Sequence, residues 1–396
     1  MLERETITIA QNVGRKPAVN FERTRFESRR DHGFNKSLSG FAVFSGDWNA
    51  FFLRIFDQRG NIGGDRRREI SVRNFLADSS VSVAPGANAN AVKELVLAGM
   101  LLAARNLAPA LAFVAALDPA AEHLDKAVES GKKDFAGFEL AGQTLGIVGL
   151  GKVGCLVADA AIKLGMNVLG YDPDITVDAA WSLPAQVKKA ASVAEVMKSA
   201  NFVSLHVPLV DATRNLVSEQ NVALMKPGAV LLNFSRDGVV DDAAVLAALG
   251  AGQLGWYICD FPEGKILRHP KVVALPHLGA STREAEENCA IMVADQLRDY
   301  LEHGNIANAV NFPNVSMARE SAYRVAIANA NVPNMLGQIS TAMAQAGLNI
   351  HNMVNKSRGD MAYTLVDVDS PASDSVMAAL RAIDGVLSVR YLPQVA

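Results

Sequence analysis

The chain has 396 residues, half of them hydrophobic and one fifth charged, with a formal net charge of −3 and a pI near 6.2. That length has room for two or three domains, and the balance gives no global reason to expect nucleic-acid or membrane binding. Three cysteines, Cys155, Cys259 and Cys289, lie far apart without a CxxC pair or metal-ligand spacing. A reduced, cytoplasmic setting and no metal site are the expectation.

Residues 1 to about 80 carry twelve scattered arginines with acids between them, and few apolar clusters. No aromatic stacking pattern accompanies the arginines, so a nucleic-acid site is not expected there. An irregular segment is the plainer reading. The first ten residues hold Glu3, Arg4 and Glu5 and no apolar block, which argues against a signal peptide.

Order begins near Val81. Pro85, Gly86 and Asn88 make a loop, and residues 91–106 read as a helix with Val92, Leu95, Val96 and Ala103 on one face. Gly99 falls on the same stripe as a point of close packing. The apolar window from Leu95 to Leu117 is interrupted by Arg105, Asn106 and Pro109, which favours a buried or interfacial helix over a membrane span.

Thr144 to Asp172 is the organising stretch. An apolar run from Leu145 to Val148 reads as a buried strand, glycines follow at 149, 151 and 154, then a helical pattern, then a second apolar run ending on Asp172. Gly149 suits a tight turn, Gly151 a close approach to a pyrophosphate, and Gly154 the packing of helix on strand. The N–H groups at Lys152, Val153 and Gly154 would receive the phosphate charge. Asp172 stands at the distance expected of the acid that bonds an adenosine ribose, which favours NAD over NADP. A strand–helix–strand unit with no ligand is the alternative, and the acid at this distance weighs against it.

Strands and helices then alternate: helices at 192–198, 218–224 and 241–249, and strands at 200–207, 229–234, 256–261 and 272–275. This predicts an α/β fold with a doubly wound parallel sheet, in which ligands collect at the carboxyl ends of strands. Gly151, Asp172, His206, Arg236, Asp260 and His277 fall at such ends. A long helix is expected over 282–302 and a linker over 305–314. From Arg324 the order becomes βαββαβ, a small ferredoxin-like domain.

Outside the dinucleotide site the reactive groups are Arg236, Glu263 and His277. Oxidising a hydroxy acid needs a fixed cation for the carboxylate, which arginine supplies, and a base for the hydroxyl proton, which suits histidine. A nearby carboxylate would favour the imidazolium. Taken singly, each has a plainer reading: Arg236 as a turn residue, His277 as a satisfied loop histidine, Glu263 as a solvated acid.

The run 149–154, HVPL at 206–209, NFSRDGVVDD at 233–242 and PHLGAST at 276–282 resemble the D-isomer-specific 2-hydroxyacid dehydrogenases. PGANANAVKEL at 85–95 and the terminal domain resemble the branch that oxidises 3-phospho-D-glycerate, the first step of serine synthesis, and carries a C-terminal ACT domain. The resemblance implies a discontinuous substrate domain (1–92 and 283–310, its N-terminal part atypical), an NAD domain (93–282) and an ACT domain (322–396). It implies Arg236 as carboxylate holder, a His277–Glu263 acid–base pair, Asn88 against the substrate, and Asp260 at the nicotinamide amide. His206, Pro208, Thr213 and Ser235 would line the cofactor, and Asn329, Asn331 and Asn349 would hold a serine effector. A homodimer or homotetramer pairing through the NAD domain and the ACT domains is implied too. Two departures stand out: Asp237 replaces the usual glycine after the arginine, and residues 1–80 lack the family's strand–helix alternation, its phosphate-holding arginine loop and its glycine-rich turn. The composition changes abruptly near Val83. The first 80 residues are therefore expected to be rearranged, as a reading-frame disruption would do, leaving as alternatives a dehydrogenase for another 2-hydroxy acid or a disabled NAD- or amino-acid-binding homologue.

Overall fold

A computed structural model describes residues 83–394 and, before them, four strands: β1 (Arg4–Ile7), antiparallel to β2 (Phe21–Thr24), and β3 (Ser39–Ser45), paired with β4 (Phe51–Asp57). The expected rearrangement of residues 1–80 otherwise lies outside the described residues.

The central layer is a seven-stranded sheet of β5 (Thr144–Val148), β6 (Asn167–Tyr171), β7 (Lys188–Lys189), β8 (Phe202–Leu205), β9 (Ala229–Asn233), β10 (Leu254–Cys259) and β11 (Val272–Ala274). Its order is β11-β10-β9-β8-β5-β6-β7, and all six pairings are parallel. Connections run one way from β5 to β7 and the other way from β8 to β11. The order therefore reverses between β5 and β8, the crevice where doubly wound sheets hold ligands.

Successive residues along each strand feed opposite cores. Leu231, Tyr257 and Cys259 pack on one face, and Val230, Leu232, Trp256 and Ile258 on the other. Both faces are covered, so the strands are apolar throughout and lack the alternation of a half-exposed sheet. α1 (Ala89–Ala104) closes the second face with Val96, Met100 and Ala103. Gly99 is the expected close-packing point: a Cβ there would lie 3.1 Å from Ile258 Cγ2 and 3.3 Å from Leu232 Cδ2.

The apolar window after Leu95 breaks where the sequence places its polar pair. Asn106 adopts a left-handed conformation (φ 48°), and α2 (Leu107–Ala115) leaves α1 at a 70° bend. Asn tolerates this backbone, and Pro109 in the first turn of α2 needs no N–H partner. No single described helix is long and apolar enough to cross a membrane. α3 (Leu124–Gly131), a helix the sequence pattern does not reveal, follows.

Five more helices in the sheet domain begin as their sequences dictate. α4 (Lys152–Lys163) starts at the glycine turn. α5 (Val177–Ser182), α6 (Val193–Ser199) and α7 (Glu219–Ala223) are capped by the hydroxyls of Thr176, Ser192 and Ser218, and α8 (Asp242–Gly250) by the Asp241 carboxylate. α9 (Arg283–His303) is capped by Thr282 and stops at left-handed Gly304.

Beyond it, β12 (Tyr323–Ala330), α10 (Met335–Gln345), β13 (Ile350–Arg358), β14 (Met361–Val368), α11 (Asp374–Ala382) and β15 (Val386–Pro393) form the expected βαββαβ unit. Its antiparallel sheet has the order β13-β14-β12-β15. One face packs on α10 and α11 through Val325, Ile327, Ile339 and Leu380. The other packs on the segment after α9 through Ile306, Phe312 and Met317.

Candidate active site

The glycine turn can be read position by position. Gly149 has φ +96°, and a Cβ there would come within 2.4 Å of the His206 carbonyl. At Gly154 a Cβ would lie 2.0 Å from the Gly149 carbonyl, so this glycine lets the helix seat on the strand. Gly151 differs: a Cβ would meet nothing within 4 Å. The fold itself does not require that glycine, which leaves the approach of a ligand as its use. Gly151 is also the N-cap of the twelve-residue α4, with no side-chain cap and no acid in the first turn. An uncapped helix start facing open space is suited to an anion.

Asp172, at the end of β6, accepts the Leu150 N–H at 2.8 Å and the Asp174 N–H at 3.0 Å. Its carboxylate thus ties the glycine turn to the neighbouring strand end. A ribose hydroxyl would meet an acceptor already fixed in place.

A cleft of 640 Å³ opens over these strand ends. It brings together Asn88, Gly151, Lys152, Val153, His206, Pro208, Ser235 and Arg236 of the expected residues, and adds Glu286 and Cys289 from α9. The volume is in the range that holds small ligands and cofactors. Ser235 Oγ accepts the Val207 N–H at 3.1 Å, tying the loops after β8 and β9. Thr213 acts one step back: its hydroxyl accepts the Val210 N–H at 2.9 Å and donates to the Pro208 carbonyl at 2.5 Å, closing the turn that presents Pro208. The His206 Nε2 lies 2.9 Å from Ser204 Oγ, and burial lowers its pKa to about 4, so it is neutral at neutral pH.

Arg236 is set by a residue that sequence reasoning passed over. The fully buried Asn233 donates to the Arg236 carbonyl at 2.8 Å and accepts the Ser235 N–H at 3.1 Å, folding the loop back on its strand. The guanidinium donates to the Ser235 carbonyl at 2.7 Å and lies 5.4 Å from the Phe261 ring centroid. Asp237 is not among the positive-φ residues, so its replacement of a glycine costs no backbone strain.

His277 has φ +56°. The turn that follows is fixed by Asp260, 2% exposed, whose two carboxylate oxygens accept the N–H groups of Leu278 (2.7 Å) and Gly279 (2.8 Å). Burial raises the Asp260 pKa, against the opposing pull of these two bonds and of His277. Glu263 is exposed in the turn after β10. Its charge adds to burial, and to Asp241 and Asp237, in pushing Asp242 up to about 6. Among the described residues no three His, Cys, Asp or Glu side chains gather in a way that would hold a metal.

The three asparagines of the terminal domain are not brought together. Asn329 is 1% exposed; it donates to the Ala330 carbonyl and accepts from Thr364. Asn331 is exposed and donates to the Gly359 carbonyl; Asn349 is exposed and gives its N–H to Asp369. The register puts Ala330 opposite Met361 and Ile350 opposite Val368, so Asn331 and Asn349 stand at opposite ends of the sheet.

A parallel sheet with a crevice at its switch point, an open glycine at a helix start and an acid after the next strand mark a dinucleotide-binding domain. Residues 98–279 match the family described as "D-isomer specific 2-hydroxyacid dehydrogenase, NAD binding domain". D-3-phosphoglycerate dehydrogenase of Haemophilus influenzae is 33% identical over 322 residues, 78% of this chain and 74% of that protein. The Methanocaldococcus jannaschii protein of the same name is 36% identical over 238 residues, which is 59% of this chain but only 43% of that longer protein. D-mandelate dehydrogenase of Rhodotorula graminis shares the fold, with a TM-score of 0.54 and 22% identity over 62% of this chain and 73% of that one. The chain belongs to the D-isomer-specific 2-hydroxyacid dehydrogenases, a family of NAD-dependent enzymes.

Proposed function

We propose that the chain oxidises 3-phospho-D-glycerate to 3-phosphohydroxypyruvate. The observation that carries this reading is Arg236 in the cleft, one aromatic ring away from His277. Arg236 holds the substrate carboxylate, its planar fork matching two oxygens. His277 takes the hydroxyl proton, and Glu263, assigned by its place in the motif, favours the imidazolium so formed. Asn88 and Lys152 line the same cleft. NAD, when bound, supplies the hydride acceptor. Gly151 to Gly154 would hold its pyrophosphate, Asp172 its ribose and Asp260 its amide. The choice of the phosphorylated acid rests on the names of the relatives given above, 33% and 36% identical to this chain.

Two copies are needed if Asn331 and Asn349 share a serine effector, since one copy keeps them at opposite ends of a sheet. Leu107, Leu111 and Val114, exposed on α2, suit pairing through the NAD domain.

The test is NADH formation by the purified chain with NAD and 3-phospho-D-glycerate, beside a panel of other 2-hydroxy acids and an Arg236→Ala control. Turnover on the phosphorylated acid that the control loses supports the reading. A preference for another acid replaces the substrate. NAD binding by calorimetry with no turnover on any acid points to a disabled homologue.

A further inference from the structure

α9 is a twenty-one-residue helix, roughly 30 Å long, and only Ala285 and Val293 of it are buried. Its first turns form a wall of the cleft through Ala285, Glu286 and Cys289. Among the described residues so few buried side chains give the helix little tertiary support, the main source of helical stability in folded proteins. The support is found at the other end.

A helix leaves its last four carbonyls without intrahelical donors and carries partial negative charge there. Here those of Leu301, Glu302 and His303 are met by arginines from the C-terminal domain and the segment leading into it, and the Tyr300 carbonyl, which already accepts the Gly304 N–H at 3.0 Å, takes an arginine as a second donor. Arg390 on β15 donates to Tyr300 and Leu301 (both 3.2 Å), Arg319 to Glu302 (3.1 Å) and Arg324 on β12 to His303 (3.0 Å). The Arg390 guanidinium also stacks 4.4 Å from the Tyr300 ring. Each arginine is held in turn. Arg324, fully buried, pairs with Asp367 and donates to the Met317 and Ala318 carbonyls, and Arg319 donates to the Ser321 and Leu392 carbonyls. Next in the chain, the Gly304 carbonyl accepts the buried Tyr363 hydroxyl at 2.9 Å. A Cβ on Gly304 would strike Leu392 and Leu365, so the chain leaves α9 directly beneath the sheet.

We infer that Arg319, Arg324 and Arg390 are positioning residues for the cleft: they weld α9 to the C-terminal domain, and the cleft wall is set by that domain through a rigid helix. The segment after α9 is packed against the sheet through Ile306, Phe312 and Met317, which leaves the domain no loose hinge at this junction. This coupling holds whichever acid the cleft takes.

The experiment is hydrogen exchange by mass spectrometry on the full-length chain, comparing the parent with Arg390→Gln and Arg390→Lys. Loss of two charge-assisted bonds is expected to speed exchange at 300–304 about tenfold. Because helix formation is cooperative and this helix is thinly packed, exchange at 284–290 on the cleft wall is expected to rise with it. The glycine turn at 145–154 stays as in the parent, and Arg390→Lys, which keeps the charge but not the fork, falls between. On any acid the chain oxidises, KM for the acid rises while KM for NAD holds. Faster exchange at 300–304 with no change at 284–290 overturns the strut, and no change at either end overturns the clamp. If Arg390→Gln loses protection at 145–154 as well, it has lost its fold. Arg319→Gln, which removes the bond to Glu302 alone, then decides by the same comparison.

Discussion

The ring of Phe261 lies 4.2 Å from the imidazole of His277, tilted by 56°, and its other neighbour is the Arg236 guanidinium. One side chain therefore spaces the two groups that a hydroxy acid would bridge. His277 needs such a buttress, because a left-handed backbone at a non-glycine residue is held only where its surroundings insist. Replacing Phe261 with alanine is expected to lower kcat/KM by roughly ten- to a hundredfold, the cost of a misplacement of about an ångström. Phe261→Tyr keeps the ring and most of the rate. Equal kinetics for the alanine variant and the parent would remove Phe261 from the site.

Asp172 offers a separate test of the cofactor end. Its carboxylate fixes the glycine turn through Leu150 and, on the function proposed above, would receive the ribose. Asp172→Ala removes both the acceptor and the negative charge that would repel a 2′-phosphate. KM for NAD is expected to rise about tenfold or more, as for loss of a charged hydrogen bond. The ratio of NADP to NAD activity rises with it. A ratio that stays constant would show that Asp172 does not select between the two cofactors.

The sequence made the sheet domain legible because its signals are local. Apolar runs, glycines with distinct duties and an acid after the second strand all fall within the thirty residues around α4. The βαββαβ order was equally plain. The break at Asn106 was marked as well, by the polar pair Arg105 and Asn106, but α3 beyond it was not. Nor was the burial of Asn329, whose side-chain donor Thr364 comes from β14 and is itself bonded by Asn355 of β13. Asn233, which sets Arg236, reads as one more polar residue at a strand end. The arginines at the end of α9 were legible only as scattered charges; the carbonyls they serve lie up to ninety positions away.

The pH dependence of stability should carry the mark of Asp242. Burial, Glu263, Asp241 and Asp237 raise its pKa from 3.8 to about 6. A carboxyl raised on folding favours its protonated form. Stability is therefore full below 3.8 and is lost as pH rises through about 6. Asp242→Asn keeps the neutral shape, so it should raise Tm at pH 8, by an amount worth on the order of 2 kcal/mol, and leave Tm unchanged near pH 4. Thermal melts at the two pH values decide it; an equal gain at both would assign the effect to packing.

Arg324 and Asp367 give the sharpest stability test. Both are fully buried and meet at 2.6 Å, with the Glu320 N–H as a further donor to the carboxylate. Burial alone would push Asp367 up, but the Arg324 hydrogen bonds, the Glu320 N–H and the charges of Arg324 and Arg319 outweigh it and leave the pKa below 3.8. The stability this contributes is present above 3.8 and is lost as pH falls through the folded value. Asp367→Ala leaves a buried guanidinium without its counter-ion and is expected to cost about 3–5 kcal/mol in denaturant unfolding at neutral pH. Replacing both together, Arg324→Met with Asp367→Leu, removes the charges along with their desolvation cost and should recover most of that loss. The double variant cannot also recover the Arg324 bond to His303, so its stability returns while exchange at the end of α9 stays fast. A double variant no more stable than Asp367→Ala would show that the carbonyl bonds of Arg324, and not its ion pair, hold this domain together.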